Sequence, residues 1–170
     1  GLDFETRLFA KRDAAKLLRA ELGRRGYEVR PIAMGTNTDP YQPLERTKRI
    51  TRSILEVLSA FNHPVSIVTK SFRITRDIDI LAPMAARRLA HAYVSVTTLD
   101  RELARKMEPR ASTPSKRIEA IRQLAAAGIP TGVMAAPMIP VLNDHEMETI
   151  LETAAAAGAT SAGYVMLRLP

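Results

Sequence analysis

The most consequential absence from this sequence of 170 residues is cysteine. Without a thiol, these residues can form no disulfide, perform no thiol catalysis and offer no thiolate to a metal ion. Tryptophan is also missing, and aromatic residues make up only 5% of the chain. The sequence therefore shows no stretch in which aromatic side chains alternate with basic ones, the pattern that would favour stacking on nucleic acid bases.

Long apolar runs are missing as well. No stretch approaches the roughly 20 apolar residues of a membrane-spanning helix, and the sequence itself shows no signal-peptide pattern, so we expect a cytoplasmic protein without a membrane partner. A hydrophobic fraction of 46% is that of a globular protein, and the length fits a single domain over residues 1–170. The first residue is Gly1 rather than Met, which predicts an internal piece of a longer protein.

The chain carries a formal net charge of +7 and a pI near 10.1. Such a balance is compatible with a nucleic acid or another polyanion as partner. Scattered arginines on solvated helix faces would give the same total. Both interpretations stay open at this point.

Apolar patterning predicts an α/β fold. Short apolar runs, as in strands covered on both faces, lie at 31–35, 65–69, 92–97, 131–136 and 163–167. Helical spacing predicts helices at about 6–22, 44–61, 75–90, 113–128 and 143–158. Thr113 with Pro114 is typical of a helix start, and Asn143 with Glu146 resembles a capping box.

The alternation of helices and strands predicts one parallel sheet with right-handed crossovers. A doubly wound sheet is one solution, but no Gly-x-Gly-x-x-Gly follows any strand, which disfavours a dinucleotide fold. A barrel or partial barrel fits better. In that fold, ligands bind at the carboxyl ends of the strands.

Polar side chains gather at those predicted strand ends. After the first strand come Asn37, Thr38, Asp39, Tyr41 and Gln42; after the second, Lys70 and Ser71; near the third, Ser95, Thr97, Thr98 and Asp100, then Glu108 and Arg110; after the last two, Ala136 and Arg168. Such a mixture of hydroxyls, a carboxylate and cations suits a zwitterionic ligand with an apolar portion.

Each of these residues also has a structural interpretation. Asp39 before Pro40 is a common turn former, and Lys70 can simply reach solvent from the end of a strand. Ser95 fits the interior of a barrel, and Arg110 can pair with Glu108. The three histidines are not spaced as metal ligands, so we expect them to be structural.

At these residues the sequence resembles the radical SAM superfamily, in particular its spore photoproduct lyase-like branch. The similar segments are Gly35-Thr36-Asn37-Thr38-Asp39-Pro40-Tyr41-Gln42-Pro43, Val68-Thr69-Lys70-Ser71, Tyr93-Val94-Ser95-Val96, Glu108-Pro109-Arg110-Ala111-Ser112-Thr113-Pro114 and Ala126-Ala127-Gly128-Ile129-Pro130.

The resemblance implies a partial (β/α)6 TIM-like barrel that binds S-adenosylmethionine (SAM) beside a [4Fe-4S] cluster. Cleavage of SAM in such enzymes yields methionine and a 5′-deoxyadenosyl radical, with electrons from a reductant such as a flavodoxin or ferredoxin. By position, Thr38 and Asp39 would meet the methionine amino group, with Asn37 beside them. Lys70 and Arg110 would bind the carboxylate. Ser95 would approach the ribose, and the backbone at Ala136 the adenine.

The family holds its cluster with a Cys-x3-Cys-x2-Cys loop after the first strand, and no such loop occurs here. We expect that loop and the first strand to precede Gly1. Two other hypotheses remain. One is a non-catalytic, cluster-less barrel module that binds nucleic acid or another partner. The other is a metabolic barrel enzyme that binds phosphate, which the lack of a glycine-rich loop disfavours.

Overall fold

Five strands form one parallel sheet in the computed structural model, which describes residues 9–167. They are β1 (Ile32–Met34), β2 (Val65–Thr69), β3 (Ala90–Ser95), β4 (Thr131–Met138) and β5 (Ser161–Met166), and they neighbour one another in chain order. Right-handed crossovers between strands in this order place every connecting helix on the same face, as in an open part of a βα barrel. The predicted α/β partial barrel is confirmed.

The described part of the chain contains seven α-helices: α1 (Ala14–Leu22), α2 (Glu45–Lys48), α3 (Ile50–Ala60), α4 (Ile78–Ala86), α5 (Arg101–Met107), α6 (Pro114–Ala126) and α7 (Met147–Ala156). Two 3-10 helices, Phe72–Asp77 and Asp144–Glu146, lead into α4 and α7. Within residues 9–167, no helix combines the length and the apolarity that a membrane crossing requires.

The core lies between the sheet and these helices. Alternate strand residues such as Ile67 and Val94 are completely buried there against Leu58 of α3 and Ile121 of α6. Burial of each such side chain stabilises the folded state by about 1.5–3 kcal/mol. A well-packed core of this kind holds the strand ends rigid, and the site is built on those ends.

Three of the five strands begin directly after a proline: Pro31, Pro64 and Pro130 precede β1, β2 and β4. Proline has no N–H to donate and is therefore suited to the first position of a strand. Its carbonyl still pairs, since Pro64 accepts from the amide of Ile32 and Pro130 from that of Ala92, at 3.1 and 3.0 Å. These prolines fix where the ladder begins.

The predicted helix over 44–61 is in fact two helices. Arg49 between α2 and α3 has a φ of 49°, a left-handed conformation that a continuous helix does not allow. The predicted helix over 75–90 begins as a 3-10 turn and ends at Ala86. Strand β3 starts at Ala90 because that residue pairs with Val65 of β2. Helix α5 was not predicted.

The predicted N-terminal helix begins later than expected, at Ala14; residues 6–8 of that prediction lie outside the described residues. Helix α1 forms where Leu18 and Leu22 pack against the core. Phe9, by contrast, is 97% exposed. Residues 9–13 thus bury no large apolar side chain that could offset the entropy cost of a helix.

The two predicted caps differ from the structure. Thr113 precedes Pro114 at the start of α6, but its hydroxyl lies 3.3 Å from that of Ser115 and caps no backbone amide. Asn143 and Glu146 form no capping box. The side-chain amide of Asn143 donates to the carbonyls of Thr97 and Pro137, at 2.7 and 3.0 Å.

Glu146 likewise points back to the sheet. Its carboxylate accepts from the hydroxyl of Thr98 and from the amide of Leu99, the latter at 2.7 Å. The pair that resembled a cap therefore joins the carboxyl ends of β3 and β4. Contacts across more than 40 residues of sequence took precedence over the local motif.

Candidate functional site

The site begins where the chain leaves β1 at Gly35. Its φ is +96°, and a Cβ at this position would lie 1.9 Å from the carbonyl oxygen of Val68 in β2. Only glycine allows both the conformation and the close approach. The loop that follows is thereby turned across the carboxyl end of β2.

Asp39 fastens that loop to β2. One carboxylate oxygen accepts from the amide of Tyr41 at 2.8 Å and from the hydroxyl of Thr69 at 2.7 Å, and the other accepts from the amide of Lys70 at 2.8 Å. The bond to Tyr41 is the turn contact that the sequence offered as an alternative. A carboxylate has about four acceptor positions, so three protein donors leave room for another.

Lys70 belongs to a cluster of ion pairs at the same edge of the sheet. Its Nζ lies 2.8 Å from Oε1 of Glu108, and Oε2 of Glu108 lies 2.6 Å from the guanidinium of Arg117. The hydroxyl of Thr97 donates to the same carboxylate at 3.1 Å. We call Lys70, Thr97, Glu108 and Arg117 the Glu108 cluster.

Electrostatics in this cluster favour the ionised carboxylate. Burial alone would raise the pKa of Glu108, but Arg117 and Lys70 together outweigh it and lower that pKa below its ordinary value. The Glu108 side chain is only 13% exposed. Its charge is therefore part of the folded structure rather than of a solvated surface.

This shift predicts a loss of stability in acid. The folded protein holds the Glu108 proton less tightly than the unfolded chain does, so falling pH favours unfolding once it drops below the unfolded pKa. We expect Glu108→Gln to show a smaller loss in the free energy of unfolding between about pH 5 and pH 3. Urea titrations at several pH values measure this; parallel curves for wild type and variant would contradict it.

A second network of ion pairs lies deeper in the protein, next to the end of the loop that follows β1. Asp77 is completely buried and lies between Arg52, at 3.0 Å, and Arg76, at 2.8 Å. Arg76 also donates to the carbonyl of Glu45 at 2.8 Å, and the Glu45 carboxylate accepts from the amide of Thr51. Hydrogen bonds to Asp79 and Asp77 raise the pKa of Arg52, and a hydrogen bond to Asp77 raises the pKa of Arg76, so both stay charged.

Between these networks lies a cleft of about 790 Å³, which we call the edge cleft. Its walls come from the loop after β1, the end of β2, the segment after α5 and the end of β4. The lining residues are Asn37, Thr38, Asp39, Tyr41, Gln42, Pro43, Lys70, Ser71, Met107, Glu108, Pro109, Arg110, Ala111 and Pro137.

The edge cleft brings together five of the seven residues predicted to bind a cofactor: Asn37, Thr38, Asp39, Lys70 and Arg110. Ser95 and Ala136 do not line it. The carbonyl of Ser95 accepts from Arg117 at 3.2 Å, and that of Ala136 accepts from the hydroxyl of Thr97 at 3.3 Å. Both are therefore joined to the Glu108 cluster. Arg168 lies outside the described residues.

Sequence reasoning missed Arg117, although its side chain is nearly completely buried. A signal was present: Arg117 occupies the same helical face as Ile121 and Leu124, at spacings of four and seven. A lone arginine in an apolar stripe indicates a buried charge that needs partners. Asp100, by contrast, caps α5 by accepting from the amide of Glu102 at 2.6 Å.

The chain offers no ligand set for an iron–sulfur cluster. It has no cysteine, and residues 9–167 bring no three His, Asp or Glu side chains together as a metal site. His63 is structural, since its ring nitrogens contact the hydroxyl of Tyr27 and the carbonyl of Pro64. The edge cleft itself suits an organic zwitterion, because it combines a carboxylate, a lysine, an arginine and apolar walls.

A sequential parallel sheet with a polar cleft at its carboxyl edge defines a βα-barrel type of protein with a ligand site in the usual place. Residues 6–154 match the family model of the radical SAM superfamily. The chain belongs to that superfamily, as the resemblance predicted.

Relatives support the same assignment. An uncharacterized protein of Mycobacterium tuberculosis is 37% identical over 99% of this chain and 50% of its own length. The chain thus spans about half the length of the curated relatives it matches. Among solved structures, spore photoproduct lyase with bound AdoMet and dinucleoside spore photoproduct superposes with a TM-score of 0.68 at 18% identity, over 96% of this chain and 49% of that one.

A second structure has a similar fold. Streptococcus suis SuiB bound to S-adenosylmethionine superposes with a TM-score of 0.66 at 13% identity, over 97% of this chain and 36% of SuiB. At such identities the likeness concerns the fold alone. Spore photoproduct lyase and SuiB, each with S-adenosylmethionine bound in its structure, share this architecture.

Proposed function

We propose that the chain is the SAM-binding part of a radical SAM enzyme and that the edge cleft holds SAM. The observation that carries the proposal is the cleft itself, which Lys70 and Asp39 line from adjacent strand ends, with the backbone amide of Lys70 donating to Asp39. Its other walls combine polar groups such as Arg110 with apolar ones such as Met107 and Pro137. SAM bears a carboxylate and an ammonium at one end and a nucleoside at the other. Pairs of opposite charge are stronger in such a shielded cleft than in water.

The proposed roles follow the charges. Lys70 binds the carboxylate of SAM together with Arg110 from the segment after α5, while Asp39 and Thr38 meet the amino group and Asn37 lies beside them at the exposed mouth. Because Ser95 and Ala136 do not line the cleft, the proposed contacts of Ser95 with the ribose and of the backbone near Ala136 with the adenine place the nucleoside beyond it, along the ends of β3 and β4. Reductive cleavage of SAM, giving methionine and a 5′-deoxyadenosyl radical, is what a [4Fe-4S] cluster would supply, with ligands from outside these residues.

What the chain itself contributes is binding, orientation and exclusion of water. The Asp39 contacts hold the loop after β1 in place, and the Glu108 cluster fixes the ammonium of Lys70. Preorganised charges of this kind need no rearrangement when the ligand binds. We further propose a flavodoxin or ferredoxin as electron donor, and hence a cytoplasmic location.

A nucleic acid substrate is a finer hypothesis. Arg46, Lys48 and Arg49 are exposed on the segment that follows the cleft-lining Pro43. One structural relative carries a dinucleoside photoproduct, which agrees with this idea, but another is bound to a precursor peptide. A nucleic acid role predicts affinity for DNA or RNA that falls steeply with salt concentration; affinity that does not change with salt would contradict it.

The SAM site is tested by calorimetric titration of the chain with SAM. We expect Lys70→Ala to weaken binding at least about tenfold, because a hydrogen bond between charged groups contributes about 1.5–3 kcal/mol. Lys16→Ala is the matched control, since Lys16 is exposed on α1 and does not line the edge cleft. Equal affinity for SAM in both variants would refute the assignment.

A further inference from the structure

The guanidinium of Arg117 is buried, yet it is close to the edge cleft. Arg117 is 1% exposed, and its nitrogens donate to the carbonyl of Ser112 at 2.7 Å, the carbonyl of Ser95 at 3.2 Å and Glu108 at 2.6 Å. Such a charge is costly to bury unless it is fully paired. The residue does not line the cleft, so it has no direct contact with a ligand there.

Arg117 determines the net charge of the group that it forms with Glu108 and Lys70. Glu108 lies between two cations and offers a different oxygen to each, Oε1 to Lys70 and Oε2 to Arg117. One carboxylate cannot neutralise two cations, so the three groups together keep a net positive charge. Lys70 is 35% exposed while Arg117 is 2% exposed by side chain, so the excess charge is presented to the cleft through Lys70.

We propose that Arg117 is a positioning residue that makes Lys70 available to a carboxylate ligand. By holding Oε2 of Glu108 and neutralising most of its charge, Arg117 leaves the ammonium of Lys70 only partly satisfied and pointing along the cleft wall. Without Arg117, Glu108 would neutralise Lys70 and repel a carboxylate. This inference rests on the proposed SAM site and adds a residue to it that does not contact SAM.

The geometry also links this charge to the backbone. The same guanidinium holds the carbonyl of Ser95 at the end of β3 and that of Ser112 before α6. Ser112 in turn donates its amide to the carbonyl of Lys70 at 3.3 Å. Arg117 therefore fixes both the charge and the backbone around Lys70, and the two contributions need to be separated by experiment.

The experiment compares two ligands that differ in one group, SAM and decarboxylated SAM. We expect Arg117→Met to lower the ratio of the affinity for SAM to the affinity for decarboxylated SAM at least tenfold, because only SAM has the carboxylate that Lys70 binds. In the double variant Arg117→Met, Glu108→Gln, the neutral glutamine no longer competes for Lys70, and we expect the ratio to return towards that of the wild type. Circular dichroism confirms folding of each variant.

A purely structural role gives a different pattern. It would weaken both ligands alike in Arg117→Met, with an unchanged ratio and no rescue by the second substitution, and that result would overturn the inference while leaving the SAM site intact. If Arg117→Met does not fold, Glu108→Gln alone decides: a ratio above the wild-type value supports the inference, because Lys70 then has no competing carboxylate, and a ratio at or below the wild-type value overturns it. Absence of SAM binding by the wild-type chain would overturn the proposed function and this inference with it.

Discussion

Replacing Gly35 with alanine is expected to unfold the chain or bring it close to unfolding. The left-handed backbone costs a residue with a side chain about 1–2 kcal/mol, and the new Cβ would lie 1.9 Å from a main-chain oxygen of β2. That oxygen belongs to Val68, which pairs with Tyr93 of β3, so it cannot move away without disturbing the sheet. The total loss should exceed about 4 kcal/mol, in the rare upper range for one substitution. Thermal and urea unfolding followed by circular dichroism measure it.

Gly26 provides the matched control. Its φ is +84°, so alanine would be strained there too, but no atom lies within 4 Å of the added Cβ. We expect Gly26→Ala to cost only the conformational strain, about 1–2 kcal/mol. If the two variants were equally stable, the close approach at Gly35 would not be what limits this position.

The second large effect is expected at Asp77. Asparagine at this position removes a completely buried negative charge that two partly exposed guanidinium groups share, and breaking a buried ion pair costs about 3–5 kcal/mol. The 3-10 helix that leads into α4 would lose its ion pair with Arg52 of α3, and Arg76, which also holds the carbonyl of Glu45, would lose one of its partners. We therefore expect Asp77→Asn to lower both the unfolding free energy and the affinity of the edge cleft for SAM.

Asp79 is the matched control for Asp77, because both carboxylates pair with Arg52. Its carboxylate lies 2.6 Å from Arg52 but is 60% exposed. Exposed pairs contribute about 0–1 kcal/mol, so Asp79→Asn should have little effect on stability. Similar losses of unfolding free energy in Asp77→Asn and Asp79→Asn would show that burial does not determine how much an ion pair of this network stabilises the fold.

The strand ends could be predicted from the sequence because they depend on local patterns. Short apolar runs located all five strands, and the polar residues that follow them identified most of the edge cleft. Lys70 is an example: it follows an apolar strand directly, and in a parallel sheet that position is at the ligand-binding edge. Nothing about distant residues was needed for this step.

Long-range pairing could not be predicted in the same way. Asn143 and Glu146 have the spacing of a cap, yet both bind backbone at the ends of β3 and β4. Asp77 binds Arg52 from 25 residues away, and Arg117 binds the carbonyl of Ser95 from 22 residues away. A local pattern can mark a buried charge, as the apolar stripe around Arg117 does, but it does not identify the distant group that pairs with that charge.

The central claim is that the edge cleft receives SAM with its carboxylate on Lys70. A crystal structure of the chain with SAM bound tests it most directly. The account predicts the methionine part of SAM within the cleft, its carboxylate within hydrogen-bond distance of the Lys70 ammonium and its amino group near Asp39. SAM bound elsewhere, or in the cleft with its carboxylate turned away from Lys70, would contradict the claim.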